Sequence, residues 1–559
     1  MAWRGSKVNG KAVSHVLTLR TAVPALLSFG LTALAIVAVW WWLGSPMPLP
    51  PSALGPGEKL TCVSYAPFRG AQDPLVEGTR VSPEQIDEDL ALLAKYTNCI
   101  RTYSVDDGRD DVLKSARRYG LKVMHGVWVS GDPEKTRRQV ATSIAYAKEF
   151  PDVIIAIVVG NEVLLRGEMT AANLIAVIRE IKAHVAMPVT YADVWEFWLR
   201  YPDVQSAVDF VTIHVLPYWE DFPIPASRAA AHLVAIRNKV AAVFPGKEIV
   251  IGEFGWPSAG RMREDARPSP YDQARAVIDA LTVAKAENIR VNIIEAFDQP
   301  WKRALEGAVG GYWGIIDRST GGPKFSFSGG SISNHPEWPL QALAGIVLAA
   351  LTFGGAILGR ILGRGGKASP AHIWAEIGAL AFVPAVLFGW TIETVLVESF
   401  SPGSWTRSLA FAAVSGLAPI VCAAGFAAGR RVPAFAALIG GSGTRRDFLD
   451  WALGGVLIAL MLVAVEAALG LVFDPRYRDI PFAPLTAAAV PFLILLAATR
   501  RLDGTRAAAE SVAGAVLALS AGYIVFNETF ANWQSVWFCA GLLGLAAILL
   551  SVRDAPSSE

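Results

Sequence analysis

The sequence predicts an α/β fold, a (β/α)8 TIM barrel, joined to a multispan α-helical membrane domain. Three observations predict it. Charged residues make up roughly a quarter of positions 59–336 and thin to roughly an eighth over 337–559. At 53% hydrophobic residues and a mean hydropathy of +0.39, the 559-residue chain is too apolar to be wholly soluble. Between 59 and 336, short β-branched runs alternate with amphipathic helical stretches about every 30 residues, the spacing of a barrel. The formal net charge of +1 argues against nucleic acid as a partner, since phosphate binding needs a basic surplus or stripe.

In chain order, residues 1–58 read as a basic tail, a signal-anchor helix and a Pro-rich tether. The uncharged run from Thr21 to Leu43 is long enough for a hydrocarbon core of about 30 Å, which takes roughly 20 residues. Arg4, Lys7, Lys11 and Arg20 precede it, and Trp40, Trp41 and Trp42 close it as an interfacial belt. A cleaved signal peptide is the alternative; the length of the apolar run favours an uncleaved anchor. The tether PMPLPPSALGP (46–56) cannot be helical.

The segment 337–559 holds about seven further spans, near 339–359, 372–396, 408–428, 450–473, 481–499, 510–526 and 534–551. Loops on one side carry Arg360, Arg364 and Lys367, then Arg430, Arg431, Arg445 and Arg446, then Arg500, Arg501 and Arg506. Opposing short loops hold Arg407, Arg476 and Arg478. The positive-inside bias therefore puts both termini in the cytoplasm and residues 44–338 outside, with the lipid bilayer as a partner. Glu393 and Glu466 fall within apolar runs, near the outer ends of their spans. A hydrogen bond or interfacial snorkelling explains them more simply than a role in handling a polar glycan.

Residues 59–336 supply the barrel. Its strand runs are LTCVSYA (60–66), NCIRTYS (98–104), LKVMHGVWV (121–129), VIIAIVVGNE (153–162), PVTYADVW (188–195), DFVTIHVLPY (209–218), EIVIGEFGW (248–256) and VNIIEAFD (291–298). Among the helices, SPEQIDEDLALLAKY (82–96) has Ser82 as cap, Pro83 at its first position and Ile86, Leu90 and Leu93 at helical spacing. A doubly wound open sheet is the alternative. It is disfavoured because polar and aromatic residues follow the carboxyl end of nearly every run.

In a barrel those ends converge on one cleft. They offer Tyr65, Arg101, Tyr103, Trp128, Asn161, Glu162, Tyr191, Asp193, His214, Tyr218, Glu253, Trp256, Glu295, Phe297 and Asp298. Carboxylates, amides and aromatics together suit a sugar, whose faces stack on rings and whose hydroxyls need polar partners. Glu162 and Glu253 end the fourth and seventh runs, on opposite walls of one cleft, as cleavage of a glycosidic bond by paired carboxylates requires.

VVGNEV (158–163) and IGEFGWPS (251–258) resemble the two signatures of glycoside hydrolase family 17. The resemblance extends over about 60–326 through CIRTYS (99–104), EAFDQPWK (295–302) and YWGIIDRSTGGPKF (312–325). These last stretches are similar to the bacterial membrane-bound branch implicated in rhizobial β-(1→3),(1→6)-glucan synthesis. Phe254, where the plant pattern commonly has Thr, and the first strand CVSYAPF depart from the plant type. The resemblance implies a retaining enzyme with Glu162 as general acid/base, Glu253 as nucleophile and Asn161 on the sugar 2-hydroxyl. Tyr191 and Glu295 would orient the glutamates, and Arg101 would hold Glu253 ionised or serve as a salt bridge under the cleft. Trp128, Trp195, Tyr218, Trp256 and Trp301 are candidate sugar platforms, of which at least two are expected in the core. Tyr65, Tyr103, Asp193 and Asp298 complete the expected substrate-binding set.

No metal or organic cofactor is expected. Cys62 and Cys99 fall in neighbouring predicted strands of an exported domain, where an oxidising compartment permits a disulfide; two free thiols are the alternative. Cys422 and Cys539 read as small buried hydrophobes. The expected activity is β-glucan transglycosylation on β-1,3-glucan, with β-1,6 linkages as a product, at the periplasmic face of a bacterial inner membrane beside a glucan synthase. A plain β-1,3-glucanase is the runner-up, and a transporter or sensor with a glucan-binding barrel is a third alternative.

Overall fold

The computed structural model describes residues 19–363, 372–439, 447–499, 502–503 and 506–551. The chain divides into two compact units, Pro46–Ile332 and Met1–Ser45 with Ser333–Glu559. In the first, eight parallel strands close into a barrel in chain order. They are β1 (Cys62–Ser64), β2 (Cys99–Arg101), β3 (Lys122–Val127), β4 (Ile154–Asn161), β5 (Val189–Val194), β6 (Val211–His214), β7 (Ile249–Phe254) and β8 (Val291–Ile293). Each lies inside one of the eight predicted runs, and helices connect successive strands. The barrel expectation holds, and the open doubly wound sheet does not.

Local signals explain these elements. The helix Pro83–Leu93 starts where Ser82 accepts from Gln85 N, and it buries Ile86, Leu90 and Leu93. Asp132, Thr170 and Ser269 cap later helices in the same way, satisfying amides that the first turn leaves unpaired. The larger apolar cluster lies between strands and helices. A smaller one gathers Cys62, Cys99, Met124, Val158 and Val250 from the strands alone. A further set of strand side chains is polar and hydrogen-bonded: Asn292 Nδ2 donates to Ser64 Oγ at 2.8 Å and to Gly252 O at 2.7 Å, and Thr190 and Thr212 hydroxyls meet at 2.8 Å.

The Pro-rich stretch is less free than a tether. Met47–Pro48 pair antiparallel with Ser331–Ile332, Ser52 Oγ donates to Phe327 O at 2.6 Å, and Ala53 N donates to Thr282 Oγ1 at 3.2 Å. Chain entry to and exit from the barrel unit are thus zipped together.

In the second unit, eight helices among the described residues are long and apolar enough to cross a membrane. They are Leu19–Leu43, Trp338–Leu362, His372–Glu398, Pro402–Ala427, Phe448–Phe473, Phe482–Thr499, Ala508–Glu528 and Trp533–Leu550. The fourth begins before the predicted 408, because Ser401 and Ser404 form a capping box around Pro402. Arg407 is therefore helical rather than a loop residue. Trp40 is fully buried, so only Trp41 and Trp42 fit the expected belt. Glu393 pairs with His335 Nδ1 at 2.9 Å, and Glu466 lies 3.8 Å from Arg478. Cys422 and Cys539 are buried and free. Of the basic residues that orient the predicted topology, Arg4, Lys7, Lys11, Arg364, Lys367, Arg445, Arg446, Arg500 and Arg501 lie outside the described residues.

Candidate active site

Glu253, on β7, is 4% exposed. Its Oε1 accepts from Arg101 Nη1 at 2.6 Å and from Tyr103 Oη at 2.9 Å. Arg101 is itself fully buried; it also donates to Gly252 O at 3.0 Å and to Asn161 Oδ1 at 2.5 Å. Burial pushes the Glu253 carboxyl up. The charges of His214, Arg101 and Lys302 and the Tyr103 hydrogen bond oppose this and win, holding it below the usual carboxylate value.

Glu162 follows β4 directly and keeps 22% of its side chain exposed. The Nδ1 of His214, at the end of β6, lies 2.7 Å from its Oε1. The backbone that aims it is unusual: Gly160 has φ 86° and Glu162 φ 55°, a left-handed conformation costly for a residue with a side chain. Glu295, after β8, shares that conformation at φ 51°. The ladder shifts register between Val158 and Asn161, between Ile213 and His214, and between Ile251 and Phe254. Such irregularities turn side chains that a regular strand would direct elsewhere. One carboxylate oxygen each of Glu162 and Glu253 and a ring nitrogen of His214 lie within 4.8 Å of one another. Among the described residues no other three such groups converge this closely. Arg101 and Lys302 already supply the positive charge that the cluster would otherwise draw in.

The supporting side chains act at one remove. Tyr191 is buried; its hydroxyl donates to Asp193 Oδ2 and accepts from Leu164 N at 3.0 Å. Asp193 in turn accepts from Leu165 N at 3.4 Å and Val194 N at 2.8 Å, so the two residues together brace the turn after Glu162. Burial pushes the Asp193 carboxyl up to about 6. Glu295 takes Lys302 Nζ at 2.5 Å and so reaches Glu253 only through that ammonium. Asp298 binds Gly314 N at 2.9 Å and Lys324 at 2.8 Å, stapling loops rather than lining the carboxylate pair.

Tyr65, Tyr218 and Trp256, expected at the substrate, are fully buried. Their polar tips are engaged inside, on Asp89 at 3.2 Å, Arg261 O at 2.9 Å and Arg267 O at 2.9 Å. Rings with no exposed face cannot stack on a sugar, so these three pack the core. Trp128, Trp195 and Trp301 remain partly exposed. Arg166 covers one face of Trp128 at 4.3 Å, Lys239 one face of Trp195 at 4.2 Å, and Trp301 Nε1 donates to Gln299 at 3.0 Å. His214 is placed at the cleft by its strand end alone, and the roles of Lys302, Glu306 and Arg166 are not legible in the sequence. Lys302 stood in the quoted EAFDQPWK stretch, and His214 closed a strand run. What they do depends on partners 50 or more residues away, or on a loop path that periodicity does not encode.

Cys62 and Cys99 are joined by a disulfide between β1 and β2.

The family model for the BtgE/BtgC glycoside hydrolase domain matches residues 62–314. Among curated relatives, a probable glucan endo-1,3-beta-glucosidase btgC of Aspergillus fumigatus is 27% identical over 290 residues, 46% of this chain and 41% of the relative. A glucan 1,3-beta-glucosidase of Arthroderma benhamiae is 27% identical over 265 residues, 43% of this chain and 83% of the relative. The chain thus spans well under half the length of the Aspergillus relative. A crystal structure of a family 17 beta-1,3-glucanosyltransferase from Rhizomucor miehei aligns at 24% identity with a TM-score of 0.43, covering 48% of this chain and 97% of that one.

Proposed function

We propose, from a barrel whose residues 62–314 are a glycoside hydrolase domain of the family 17 type, that the chain is a membrane-bound retaining β-glucan transglycosylase. The carboxylate pair carries this reading. Retaining pairs stand about 5–5.5 Å apart and inverting pairs about 6.5–9.5 Å. With one carboxylate oxygen of each glutamate within 4.8 Å of the other, the pair falls on the retaining side, and a water between Glu253 and the anomeric carbon, as inversion requires, has little room.

The two environments divide the roles. Glu253, buried and held ionised by Arg101, Tyr103 and Lys302, attacks the anomeric carbon. Glu162, more exposed and touching His214, gives its proton to the departing glycosidic oxygen as that bond breaks. In the second step Glu162 takes a proton from an acceptor hydroxyl, whose oxygen displaces Glu253. Asn161 Oδ1 is engaged by Arg101, which presents its amide N–H to the sugar 2-hydroxyl, a contact that strengthens in the transition state. Trp128, Trp195 and Trp301 are the remaining ring platforms. Neither step calls on a metal or organic cofactor.

If the acceptor is a sugar 6-hydroxyl, the product is a β-1,6 linkage or branch; if it is water, the enzyme is a β-1,3-glucanase. The second reading is favoured by relatives that bear glucosidase names. Transfer is favoured by permanent attachment to a bundle of membrane-length helices, which would hold the barrel where glucan emerges from a synthase. The disulfide and the basic loops support a bacterial inner membrane with the barrel in the periplasm and both termini in the cytoplasm.

Incubating the full chain in detergent with laminari-oligosaccharides tests this. Products longer than the substrate, some β-1,6 by linkage analysis, are expected. Only shorter products would leave the glucanase, and no turnover of any glucan would leave a binding barrel on a transporter or sensor. Glu253→Ala should lower turnover by roughly 1,000-fold or more while glucan binding persists; unchanged turnover would overturn the assignment.

A further inference from the structure

His214 sits between the two glutamates with 1% of its surface exposed. Nδ1 is 2.7 Å from Glu162 Oε1, and Nε2 is 3.6 Å from Glu253 Oε1. That Nε2 is buried with no hydrogen-bond partner. The ring packs beside Gly252, where a Cβ would lie 3.2 Å from His214 Cδ2 and 3.4 Å from Nε2.

Consider where the ring hydrogens sit. A bare lone pair on Nε2 would face a carboxylate oxygen that already accepts from Arg101 and Tyr103, two acceptors opposed with no hydrogen between them. In a buried site that opposition is costly, and an N–H pointing the same way is favourable. Nε2 therefore carries a hydrogen. Nδ1 is then left with two states of equal proton count. Either it accepts from a protonated Glu162, or it holds the proton and donates to an ionised Glu162. The two differ only by moving one proton along a single 2.7 Å bond.

We infer that His214 is a positioning residue that shares the acid proton with Glu162 and directs Nε2–H toward Glu253, so that the three groups hold one transferable proton between them. This rests on the retaining assignment above and adds a proton reservoir to it. In the first step the shared proton leaves on the glycosidic oxygen as its bond to the anomeric carbon breaks and Glu253 forms the new one. Glu162 is left ionised and His214 neutral. In the second step the acceptor hydroxyl's proton refills the pair as its oxygen displaces Glu253. Charged groups from several elements surround the ring. Asp193 faces it from β5, Glu162 from the end of β4 and Glu253 from β7, with Glu306 beyond; Arg101 beside Tyr103, and Lys302, oppose.

The test uses the full chain in detergent, its His214→Asn and His214→Gln variants, and two substrates. A laminari-oligosaccharide needs its leaving oxygen protonated; a 2,4-dinitrophenyl β-laminaribioside does not. With the oligosaccharide, kcat is expected to fall on the order of 100-fold in the variants, and the alkaline limb of kcat/KM to move down by about one pH unit. With the activated substrate the formation of the glucosyl-enzyme should change less than about tenfold. Equal losses on both substrates with an unmoved alkaline limb would mean that His214 only packs, and would overturn the inference while leaving the retaining assignment standing. A wild-type chain that turns over neither substrate would overturn both. A variant-free measurement guards against misfolding: in the unsubstituted chain the alkaline pKa should fall on warming, as imidazole ionisation does. A temperature-independent limb, the behaviour of a carboxyl group, would overturn the proton sharing.

Discussion

At the residue scale, charge sets the ionisation of Glu253, whereas burial sets that of Asp193. Asp193 accepts from Tyr191, Leu165 and Val194, and burial pushes its carboxyl up to about 6 against the opposing charge of His214. An acid whose folded value lies above its unfolded one stabilises the fold below the unfolded value and loses that contribution as pH rises through the folded value. Wild type should therefore lose about 2–3 kcal/mol between roughly pH 4 and pH 6.5 at this residue. Asp193→Asn, of the same shape but without the titration, should flatten that part of the melting-temperature profile. A parallel profile in the variant would show that Asp193 is not the group responsible. Gly252 offers a second test. A Cβ there would lie 2.4 Å from Thr212 Cγ2 as well as against His214, so Gly252→Ala should cost about 1–3 kcal/mol by overpacking and lower kcat by displacing the ring. Unchanged melting and kcat would show that the ring does not depend on that space. The pair Glu162 and Glu253 was legible in the sequence because each ends a run whose flanking residues form a motif. The fates of Tyr65, Tyr218 and Trp256 were not, because a ring at a strand end can turn into the core or into the cleft. Only the packing of Asp89, Arg261 and Arg267 around the three decides which.

At the element scale, eight strand runs were legible because strands of a parallel barrel are buried on both faces and read as apolar stretches between capped helices. Register was not legible. The three shifts that turn Asn161, His214 and Phe254 are properties of strand pairs, and a single strand does not carry them. Of the two states left open for Cys62 and Cys99, the structure has the bridge, closing a separation of 37 residues between β1 and β2. Cross-linking a loop of that length removes freedom from the unfolded chain worth about 4 kcal/mol at most. Arg101, which grips Glu253, is two residues beyond Cys99 on the same strand. Cys62→Ala with Cys99→Ala should therefore lower the melting temperature of the barrel and, by loosening β2, reduce kcat several-fold with little change in KM. A melting temperature insensitive to both the substitution and a reductant would show that the strands hold their places without the bridge.

At the scale of the whole molecule, the charge-poor half has no self-sufficient explanation in water. Phe473, Phe526 and Leu519 are 83%, 86% and 76% exposed on helices that are apolar on all sides, and only lipid or a partner can cover such surfaces. The basic loops give the proposed direction. In that topology the first helix crosses outward, the barrel lies on the outer face, and seven more crossings would return the chain to the cytoplasm. Two cysteine substitutions read this directly, since Cys422 and Cys539 are buried and Cys62 and Cys99 are bridged. Ser328 and Ser551 are both exposed, the first near the end of the barrel unit and the second just past the last helix. In bacteria expressing the full chain, a membrane-impermeant thiol reagent should label Ser328→Cys once the outer membrane is opened. It should label Ser551→Cys only after the inner membrane is also breached. Labelling in the reverse order would invert the proposed topology. Labelling of both before the inner membrane is breached would mean an odd number of crossings, and one of the eight helices would have to lie outside the bilayer.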